Sequence, residues 1–430
     1  MNVVALLSGC LVYMLGAMSR VAVPGMIFER IVADYGLTHA QVALLPSVGV
    51  FGCMAFIGLG GVAVDRFGWK RMLLLGSLLQ AFGYIPVHES SNLGLMLAGE
   101  FLNGGGRTIV YLSILKLFDV SFDRRSFAAL IGIFYIFSYG GTLGASAVFP
   151  ALESCCGSWQ AAARAINYGT LGCTALIAAT ACRRGMAGPA SDAPVREAFP
   201  WRAMARSFAD PVARRAILVA GLNIAVYWSF LCVAAAPFAR GLGHASLVSE
   251  MNTVVMCGMV FMGSVSLLLG NRRRPFFVWG AGALAAGFAV LLAASLLGAQ
   301  GGTAYRTAYL LVGAGYGVTS VLLAGTKECV PPVYMASAIG FTNFLANIVQ
   351  ICGNQASGHL MQLGTTGYPW IFGLYLALAC ASLACALRLC ASGRPSTAES
   401  GASASRDGGS RACPAAAAGP RSRRRAPLRP

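Results

Sequence analysis

The sequence predicts an all-α polytopic membrane protein whose twelve transmembrane helices form two six-helix bundles. Hydrophobic residues make up 57% of the 430 residues and charged residues only 11%, whereas soluble domains carry about 25% charged residues. The mean hydropathy is +0.67, and apolar runs long enough to cross a bilayer recur along the chain. The net charge of +17 is typical of basic loops on one face of a membrane, and we expect no nucleic-acid partner.

Capping residues and polar interruptions separate the apolar runs. Thr38 and Gln41 form a predicted capping box that opens the second helix, and Ser91 and Asn92 can cap the fourth. The expected helices cover about residues 3–28, 38–64, 70–87, 91–118, a fifth that ends near 150, 161–182, 211–239, 246–269, 275–298, 303–325, 334–362 and 369–390.

Composition divides the chain into four parts. Residues 1–182 and 211–390 are the predicted N-terminal and C-terminal six-helix bundles. Residues 183–210, rich in Arg, Pro, Ala and Ser, are the predicted cytoplasmic basic linker. Residues 391–430 carry too few large apolar side chains to fold, so we expect a disordered cytoplasmic tail.

The distribution of basic residues predicts the orientation. If both termini are cytoplasmic, the basic linker, the tail and the charged turns all lie on the cytoplasmic side. We therefore expect a monomeric integral protein of the inner or plasma membrane, with the lipid bilayer as its environment.

A charged turn at Gly60–Arg71 separates the second and third apolar runs. Its glycines permit close helix approach and a positive φ, and its acid can accept hydrogen bonds from helix-start amides or from an Arg. The candidate gating residues of this turn are Gly61, Asp65, Arg66, Gly68, Lys70 and Arg71. The pattern Gly-x-x-x-Asp-Arg-x-Gly-x-Lys-Arg resembles the loop between helices two and three of the major facilitator superfamily, although Trp69 stands where the family usually has Arg or Lys.

Other stretches extend this resemblance over about residues 1–390. Gly270–Arg274 resembles a second copy of the turn that lacks the acidic residue, and Glu100–Gly106 resembles the family's fourth helix with Glu100 in place of Arg. The resemblance implies two halves that rock around a midplane site by alternating access. It also implies that Asp65 and Arg66 help to hold the cytoplasmic side shut.

Ionisable residues inside apolar helices are costly and usually functional or paired. Arg20 lies in the first helix, where the resemblance implies an Arg that binds a carboxylate or phosphate. Glu100, Asn103 and Arg107 share one face of the fourth helix with Tyr111. Glu100 either couples transport to protons or forms a structural ion pair with one of the two arginines.

Polar stripes in the second half supply further candidates for substrate binding. The eleventh helix carries an amide stripe at i, i+4, i+7 and i+11 that either lines a cavity or joins helices by hydrogen bonds. The stripe consists of Asn343, Asn347, Gln350 and Asn354. The candidates are Asn343, Asn347 and Gln350 in this stripe, Asn223 and Tyr227 in the seventh helix, and Tyr316 in the tenth.

No motif indicates an enzyme, a cofactor or a metal site. The four His are scattered, the 14 Cys show no metal-ligand spacing, and Cys53 is interpreted as a small apolar residue of its helix. The glycine runs lie inside apolar helices, where they favour helix packing and not phosphate binding.

The resemblance implies a secondary active transporter of a small polar solute, for which an organic anion is favoured and protons or a counter-substrate are candidate coupling partners. One alternative is a transporter of neutral or zwitterionic solutes such as amino acids. Another, of a different class, is a non-transporting sensor or assembly protein of the same fold.

Overall fold

The computed structural model describes residues 3–121, 127–183, 208–268, 273–299, 302–330 and 335–391, which belong to one compact unit. These residues are helical, with no strand among them. The long helices are α1 (Val3–Ala22), α2 (His39–Phe67), α3 (Trp69–Glu89), α4 (Leu93–Ser121), α5 (Phe127–Ala147), α6 (Trp159–Arg183), α7 (Pro211–Ser229, extended by Phe230–Ala234 as a π-helix and by Ala235–Gly241), α8 (Ser246–Leu268), α9 (Arg274–Leu296), α10 (Gly302–Gly317, continued by Thr319–Glu328), α11 (Met335–Met361) and α12 (Gly367–Ala391).

The predicted all-α polytopic membrane fold is confirmed. Among the described residues, seven helical stretches are long and apolar enough to cross a membrane: Val4–Tyr35, His39–Ile57, Pro211–Gly241, Ser246–Ser266, Arg274–Leu296, Gly302–Glu328 and Gly364–Ala391. The twelve long helices agree with the predicted number. The linker at 183–210 and the tail at 391–430 fall almost entirely outside the described residues, so these boundaries stay predictions.

Local signals at the start of α2 and α4 behave as predicted. The Gln41 amide donates to Thr38 Oγ1 at 3.2 Å, and the Thr38 amide donates to Gln41 Oε1 at 2.8 Å, which completes the capping box. The Leu95 amide donates to Asn92 Oδ1 at 3.2 Å at the start of α4. These side chains satisfy backbone amides that have no partner within the helix.

The connection after α1 differs from the prediction. The predicted helix over 3–28 ends at Ala22, because Pro24 has no amide hydrogen to continue it. The expected loop at 29–37 is instead a short helix, Phe28–Tyr35, that buries Phe28 and ends at Gly36 with φ +63°. In the same way α5 ends at Ala147 and a second short helix, Phe149–Cys156, replaces the expected loop.

Arg30 and Asp65 lie near opposite ends of the long helices, and these ends are called the Arg30 side and the Asp65 side. The Arg30 side holds the end of α1 and the start of α2, and the Asp65 side holds the turn between α2 and α3. Because consecutive helices run in opposite directions, the end of α5 and the start of α8 also lie on the Arg30 side.

Glycines bring the helices of the first half into close contact. A Cβ on Gly104 in α4 would lie 2.0 Å from the Gly49 carbonyl oxygen in α2, and one on Gly141 in α5 would lie 2.1 Å from the Met14 carbonyl oxygen in α1. Such contacts exclude any side chain at these positions, as in other membrane helix pairs that pack through small residues.

The first six and last six helices meet through α2 against α11 and through α5 against α8. Ser47 accepts a hydrogen bond from Gln355 at 3.2 Å, and Ser146 accepts one from Asn252 at 3.1 Å. Both contacts lie toward the Arg30 side. In this conformation, therefore, side-chain hydrogen bonds between described residues join the halves on that side.

Candidate functional site

A cavity of about 150 Å³ lies between α1, α2, α4 and α11, near the middle of the helices. The polar residues that line it are Tyr13, Arg20, Cys53, Arg107, Thr108, Tyr111 and Asn347. The apolar residues Val50 and Ile57 complete the lining. Tyr13 and Arg20 stand seven residues apart in α1 and therefore share one helix face. The cavity thus brings together three of the predicted site residues, Arg20, Arg107 and Asn347.

Arg20 is fixed by contacts with the second half. Its guanidinium carbon lies 4.2 Å from the centroid of the Trp228 ring in α7, which is a cation–π contact. Its Nη2 donates to Gln350 Oε1 in α11 at 3.3 Å. These contacts stack and orient the planar guanidinium, and part of its donor fork remains available to a ligand.

Arg107 is held by the first half and is 6% exposed. Its Nη2 lies 3.2 Å from Cys53 Sγ, and its Nη1 lies 3.5 Å from the Gly16 carbonyl oxygen. Cys53 in turn donates to the Gly104 carbonyl oxygen at 3.3 Å. The interpretation of Cys53 as an apolar filler is therefore wrong, because its sulfur is a polar neighbour of a buried cation.

Glu100 and Asn103 are buried in α4 but do not line the cavity. Among the described residues, Glu100 makes no ion pair, and its buried Oε1 has no hydrogen-bond partner. Its Oε2 lies 2.8 Å from the position of a Cβ on Gly49. Of the two alternatives for Glu100, the structural ion pair with Arg20 or Arg107 is therefore not formed among the described residues in this conformation.

An aromatic cluster adjoins Arg20 where the halves meet. The rings of Tyr227 and Tyr316 stack with centroids 3.7 Å apart and an angle of 5° between planes. The Tyr316 hydroxyl accepts from Trp228 Nε1 at 2.7 Å and lies 3.0 Å from the Tyr139 hydroxyl of α5. The predicted residues Tyr227 and Tyr316 thus support the wall beside Arg20 and are fully buried.

The amide stripe of α11 divides its roles. Asn347 faces the cavity, and Gln350 bonds Arg20. Asn343 donates to the Ile339 carbonyl of its own helix at 3.1 Å, and Asn354 accepts from the Ser229 hydroxyl at 3.0 Å. Asn347 therefore lies at the cavity, Gln350 and Asn354 form hydrogen bonds between helices, and Asn343 does neither in this conformation.

Asn223 joins helices within the second half and does not line the cavity. Its Nδ2 donates to the Gly315 carbonyl oxygen at 3.2 Å, and its Oδ1 accepts from the Thr319 hydroxyl at 3.2 Å. It is completely buried among α7 and α10.

The turn on the Asp65 side carries an ion pair within the first half. Asp65 Oδ1 lies 2.8 Å from Lys116 Nζ in α4, so its ion-pair partner among the described residues is a lysine, and not an arginine or a helix-start amide. Gly68 has φ +83°, as expected for the turn residue.

The other gating candidates surround this pair. Arg66 lies 5.6 Å from the centroid of the Phe67 ring, and Lys70 lies 5.8 Å from that of Trp69. Arg71 is exposed, and a Cβ on Gly61 would meet no atom within 4 Å. Gly61 is therefore not a close-contact glycine in this conformation.

The matching turn of the second half is only partly described. Residues 269–272 lie outside the described residues. Arg273 donates to Glu328 in α10 and to Ser266 Oγ, the latter at 3.1 Å. The second half therefore has an ion pair between this turn and α10, although its turn has no Asp.

The described residues contain no group of three or more His, Cys, Asp or Glu that could hold a metal ion. Sequence reasoning missed the lining roles of Tyr13, Cys53 and Thr108. Tyr13 could have been found from its spacing of seven residues from Arg20, whereas no sequence signal marks Cys53 as a neighbour of Arg107.

Known proteins of similar structure share the architecture over most of the chain. A D-xylose–proton symporter matches with a TM-score of 0.71 at 14% identity, over 90% of this chain and 96% of that chain. A bacterial homologue of the human lysosomal transporter Spinster, in an inward-facing and unoccupied conformation, matches with a TM-score of 0.70 at 15% identity, over 90% and 96% of the two chains. The peptide transporter POT in complex with sulfate matches with a TM-score of 0.68 at 15% identity, over 90% and 94%. At these identities the matches show the fold alone.

Sequence comparison supplies the family. A triacylglyceride transporter of Mycolicibacterium smegmatis (strain ATCC 700084 / mc(2)155) is 28% identical over 132 residues, which are 30% of this chain and only 23% of that protein. The model of the Major Facilitator Superfamily matches residues 6–354, far more than half of the chain. The chain therefore belongs to the Major Facilitator Superfamily, and this membership together with the transporter structures points to an integral-membrane transporter rather than an enzyme.

Proposed function

We propose that the protein is a secondary active transporter of a small organic anion that binds between Arg20 and Arg107 and crosses by alternating access. One observation carries this proposal: two guanidinium groups line the same cavity, and none of the other lining residues is acidic. A bound carboxylate or phosphate would neutralise them and accept bidentate hydrogen bonds. A neutral solute would leave at least one of these positive charges uncompensated at membrane depth, even when the nearby Glu100 is ionised.

The contacts of the two arginines suggest different roles. Arg20 touches both halves, because it belongs to α1 and contacts Trp228 and Gln350 of the second half. The hydrogen bonds that Arg107 forms with described residues are to Gly16 and Cys53, which both belong to the first half. In an anion complex with both arginines, the position of Arg20 would therefore depend on the relative position of the two halves, whereas that of Arg107 would not.

The size of the cavity limits the solute. Its volume of about 150 Å³ lies below the range of about 300–1,000 Å³ that is usual for small-molecule sites, which favours a small anion. The triacylglyceride named for the M. smegmatis relative is large and neutral, so the two guanidiniums and this volume do not favour it as the cargo here.

Proton coupling through Glu100 is a second part of the proposal. The carboxyl group is 3% exposed and has no cation within ion-pair distance among the described residues. Without a paired cation, burial opposes its ionised form. Glu100→Gln should then abolish uptake driven by a pH gradient while solute exchange across the membrane continues. Loss of both activities, or of neither, would remove Glu100 from the coupling step.

Two alternatives have specific support that can be tested. A zwitterionic solute would use the amides of Asn347 and Gln350 beside Arg20. Competition by an amino acid is then compared with competition by its analogue in which hydrogen replaces the amine. Equal competition by the two compounds supports the anion proposal, and weaker competition by the analogue supports a zwitterionic solute. A non-transporting relative would bind solute without flux. Binding and flux measured on the same preparation separate these cases.

The orientation remains part of the proposal. The described basic residues of the turns, including Lys70, Arg71 and Arg273, lie on the Asp65 side, which the positive-inside rule assigns to the cytoplasm. The proposal then places both termini in the cytoplasm of a cell whose inner or plasma membrane holds the protein. Reporter fusions at each terminus test this orientation, and a reporter active only outside would reverse it.

The substrate proposal is tested by uptake into proteoliposomes. A panel of labelled mono- and dicarboxylates and phosphate esters is screened first, and neutral and zwitterionic solutes are included. Arg20→Gln should then raise KM for the transported anion about 10- to 150-fold, because a charged hydrogen bond contributes about 1.5–3 kcal/mol. Arg20→Lys should recover only part of this loss, since an ammonium lacks the bidentate fork.

A matched control uses Arg306→Gln. Arg306 is an exposed arginine of α10 that pairs with Glu250 on the Arg30 side, outside the central cavity. This variant should keep wild-type kinetics, because an exposed ion pair contributes at most about 1 kcal/mol. Unchanged kinetics in Arg20→Gln at normal membrane insertion would refute Arg20 as an anion ligand.

A further inference from the structure

A second and larger cavity opens on the Arg30 side, where the two halves face each other. Its volume is about 780 Å³, within the usual range for small-molecule sites. The connection after α1 and the end of α5 form its first-half wall, and the end of α7 and the start of α8 form its second-half wall. This cavity is called the vestibule below.

The charges in the vestibule are not balanced. Its lining contains two arginines, Arg30 and Arg240, and one carboxylate, Glu153. Arg30 forms an ion pair with Glu153. Arg240 is half-buried at the end of α7, and its guanidinium has no hydrogen bond or ion pair among the described residues. One positive charge therefore remains without a partner.

The two arginines also repel each other. Both guanidiniums line the vestibule, and like charges that share a cavity repel each other. Two guanidiniums that share a cavity with one carboxylate are a costly arrangement unless an anion joins them. The guanidinium geometry favours a planar or tetrahedral oxyanion as that ligand.

The vestibule adjoins the wall of the central cavity. Ser146 lines the vestibule and accepts a hydrogen bond from Asn252. Asn252 Oδ1 accepts from the Tyr227 hydroxyl at 2.7 Å, and Tyr227 stacks on Tyr316. A short row of polar and aromatic side chains thus separates the vestibule from the cluster that supports Arg20.

We propose that the vestibule is a second oxyanion-binding site, in which Arg240 together with Arg30 holds a carboxylate, sulfonate or phosphate group before the halves open on this side. The site is distinct from the central cavity and does not depend on which solute the protein carries. Its ligand is either a free solute anion or the phosphate of a lipid headgroup at the membrane surface.

The test measures the electrostatic potential inside the vestibule without transport. Ser249 lines the vestibule, and its hydroxyl bonds only the Ser246 carbonyl of its own helix, so Ser249→Cys is a mild change. The exposed native cysteines are first replaced by serine. The purified full-length variant in nanodiscs is then treated with an anionic reagent, sulfonatoethyl methanethiosulfonate, and with a cationic one, trimethylammonioethyl methanethiosulfonate.

The expected result is a ratio of the anionic to the cationic modification rate that is about five-fold or more above the ratio for free cysteine, because each nearby charge acts oppositely on the two reagents. Arg240→Gln should bring the ratio close to that of free cysteine, and Arg240→Lys should restore it. Arg164→Gln, which changes an arginine of α6 on the same side but outside the vestibule, should leave the ratio unchanged, because its partner Glu89 belongs to α3.

Competition identifies the source of the oxyanion. Inorganic phosphate should slow the anionic reagent in discs of neutral phosphatidylcholine if solutes occupy the site. If modification by the anionic reagent is slowed only when the discs also contain phosphatidylglycerol, the site is assigned to lipid headgroups. A ratio in the Ser249→Cys protein equal to that of free cysteine, or a ratio that Arg240→Gln leaves unchanged, would overturn the proposal whether or not the protein transports anions.

Discussion

The hydrogen bond from Asn252 to Ser146 joins α8 to α5, and its removal should shift the protein away from the conformation described here. Ser146→Ala removes the acceptor and leaves the Asn252 amide donor buried without a partner in this conformation only. When the halves separate on the Arg30 side, water can satisfy the same donor. The Tyr227 bond to the Asn252 oxygen lies within the second half and persists in both conformations.

The magnitude follows from the cost of an unpaired buried donor. That cost is about 1–3 kcal/mol, which corresponds to a shift of roughly five- to 150-fold in the equilibrium between conformations. Both Ser146 and Asn252 are less than a tenth exposed, so bulk water does not reduce the penalty in the joined state. The lost bond from the Ser146 hydroxyl to Leu143 affects both conformations and largely cancels.

Distance measurements by double electron–electron resonance would check this shift. Spin labels at Ser91 and Leu297, exposed residues of opposite halves on the Arg30 side, report their separation. Ser146→Ala should increase the population of long distances, and Ser154→Ala, an exposed serine that bonds only its own helix, should not. An unchanged or shorter distribution in Ser146→Ala would refute the assignment of this bond as a latch between the halves.

Two other substitutions test the packing and the turns. Gly104→Ala should destabilise the protein by about 1–3 kcal/mol, because its Cβ would lie 2.0 Å from the Gly49 oxygen. The control Gly61→Ala, whose Cβ would meet no atom within 4 Å, should be near neutral. Thermal unfolding in detergent measures both effects, and equal melting temperatures of the two variants would contradict the packing argument. Arg273→Gln should slow uptake about as much as Asp65→Asn, because each breaks an ion pair between a turn and a neighbouring helix; a large effect of Asp65→Asn alone would show that only the first-half turn matters.

Composition and periodicity were sufficient to predict the fold, because a bilayer requires long apolar helices and leaves few other solutions. They also drew attention to Arg20 and Arg107, which both line the central cavity, since a cation in an apolar helix needs a polar surrounding. The end of α1 was less predictable. Whether Pro24 bends or stops a helix depends on tertiary contacts, and here a new short helix follows it.

The position of Glu100 shows why a helical face is not a site. Glu100 and Arg107 share a face, but seven residues of helix rise about 10 Å. Over that distance α4 passes from close packing against Gly49 in α2 to the open cavity. The periodicity gives the direction of a side chain but not the depth at which neighbouring helices diverge.

The same limit applies to the amide stripe. Asn343 and Asn354 stand eleven residues apart, so the stripe runs from the Asp65 side into the interior of the second half, and only Asn347 reaches the cavity. Contacts between the halves, such as Gln350 with Arg20, join residues 330 positions apart, and no local pattern in a single sequence encodes them.

The ion pairs of the two turns have opposite polarity. In the first half the turn supplies the acid, Asp65, and α4 supplies the base, Lys116; in the second half the turn supplies Arg273 and α10 supplies Glu328. Two identical copies would oppose like charges wherever corresponding elements of the halves approach each other. With the signs exchanged, the corresponding charges of the two halves are opposite, because Asp65 corresponds to Arg273 and Lys116 to Glu328. The halves can therefore come together on this side with attraction in place of repulsion, and the second turn is the electrostatic complement of the first.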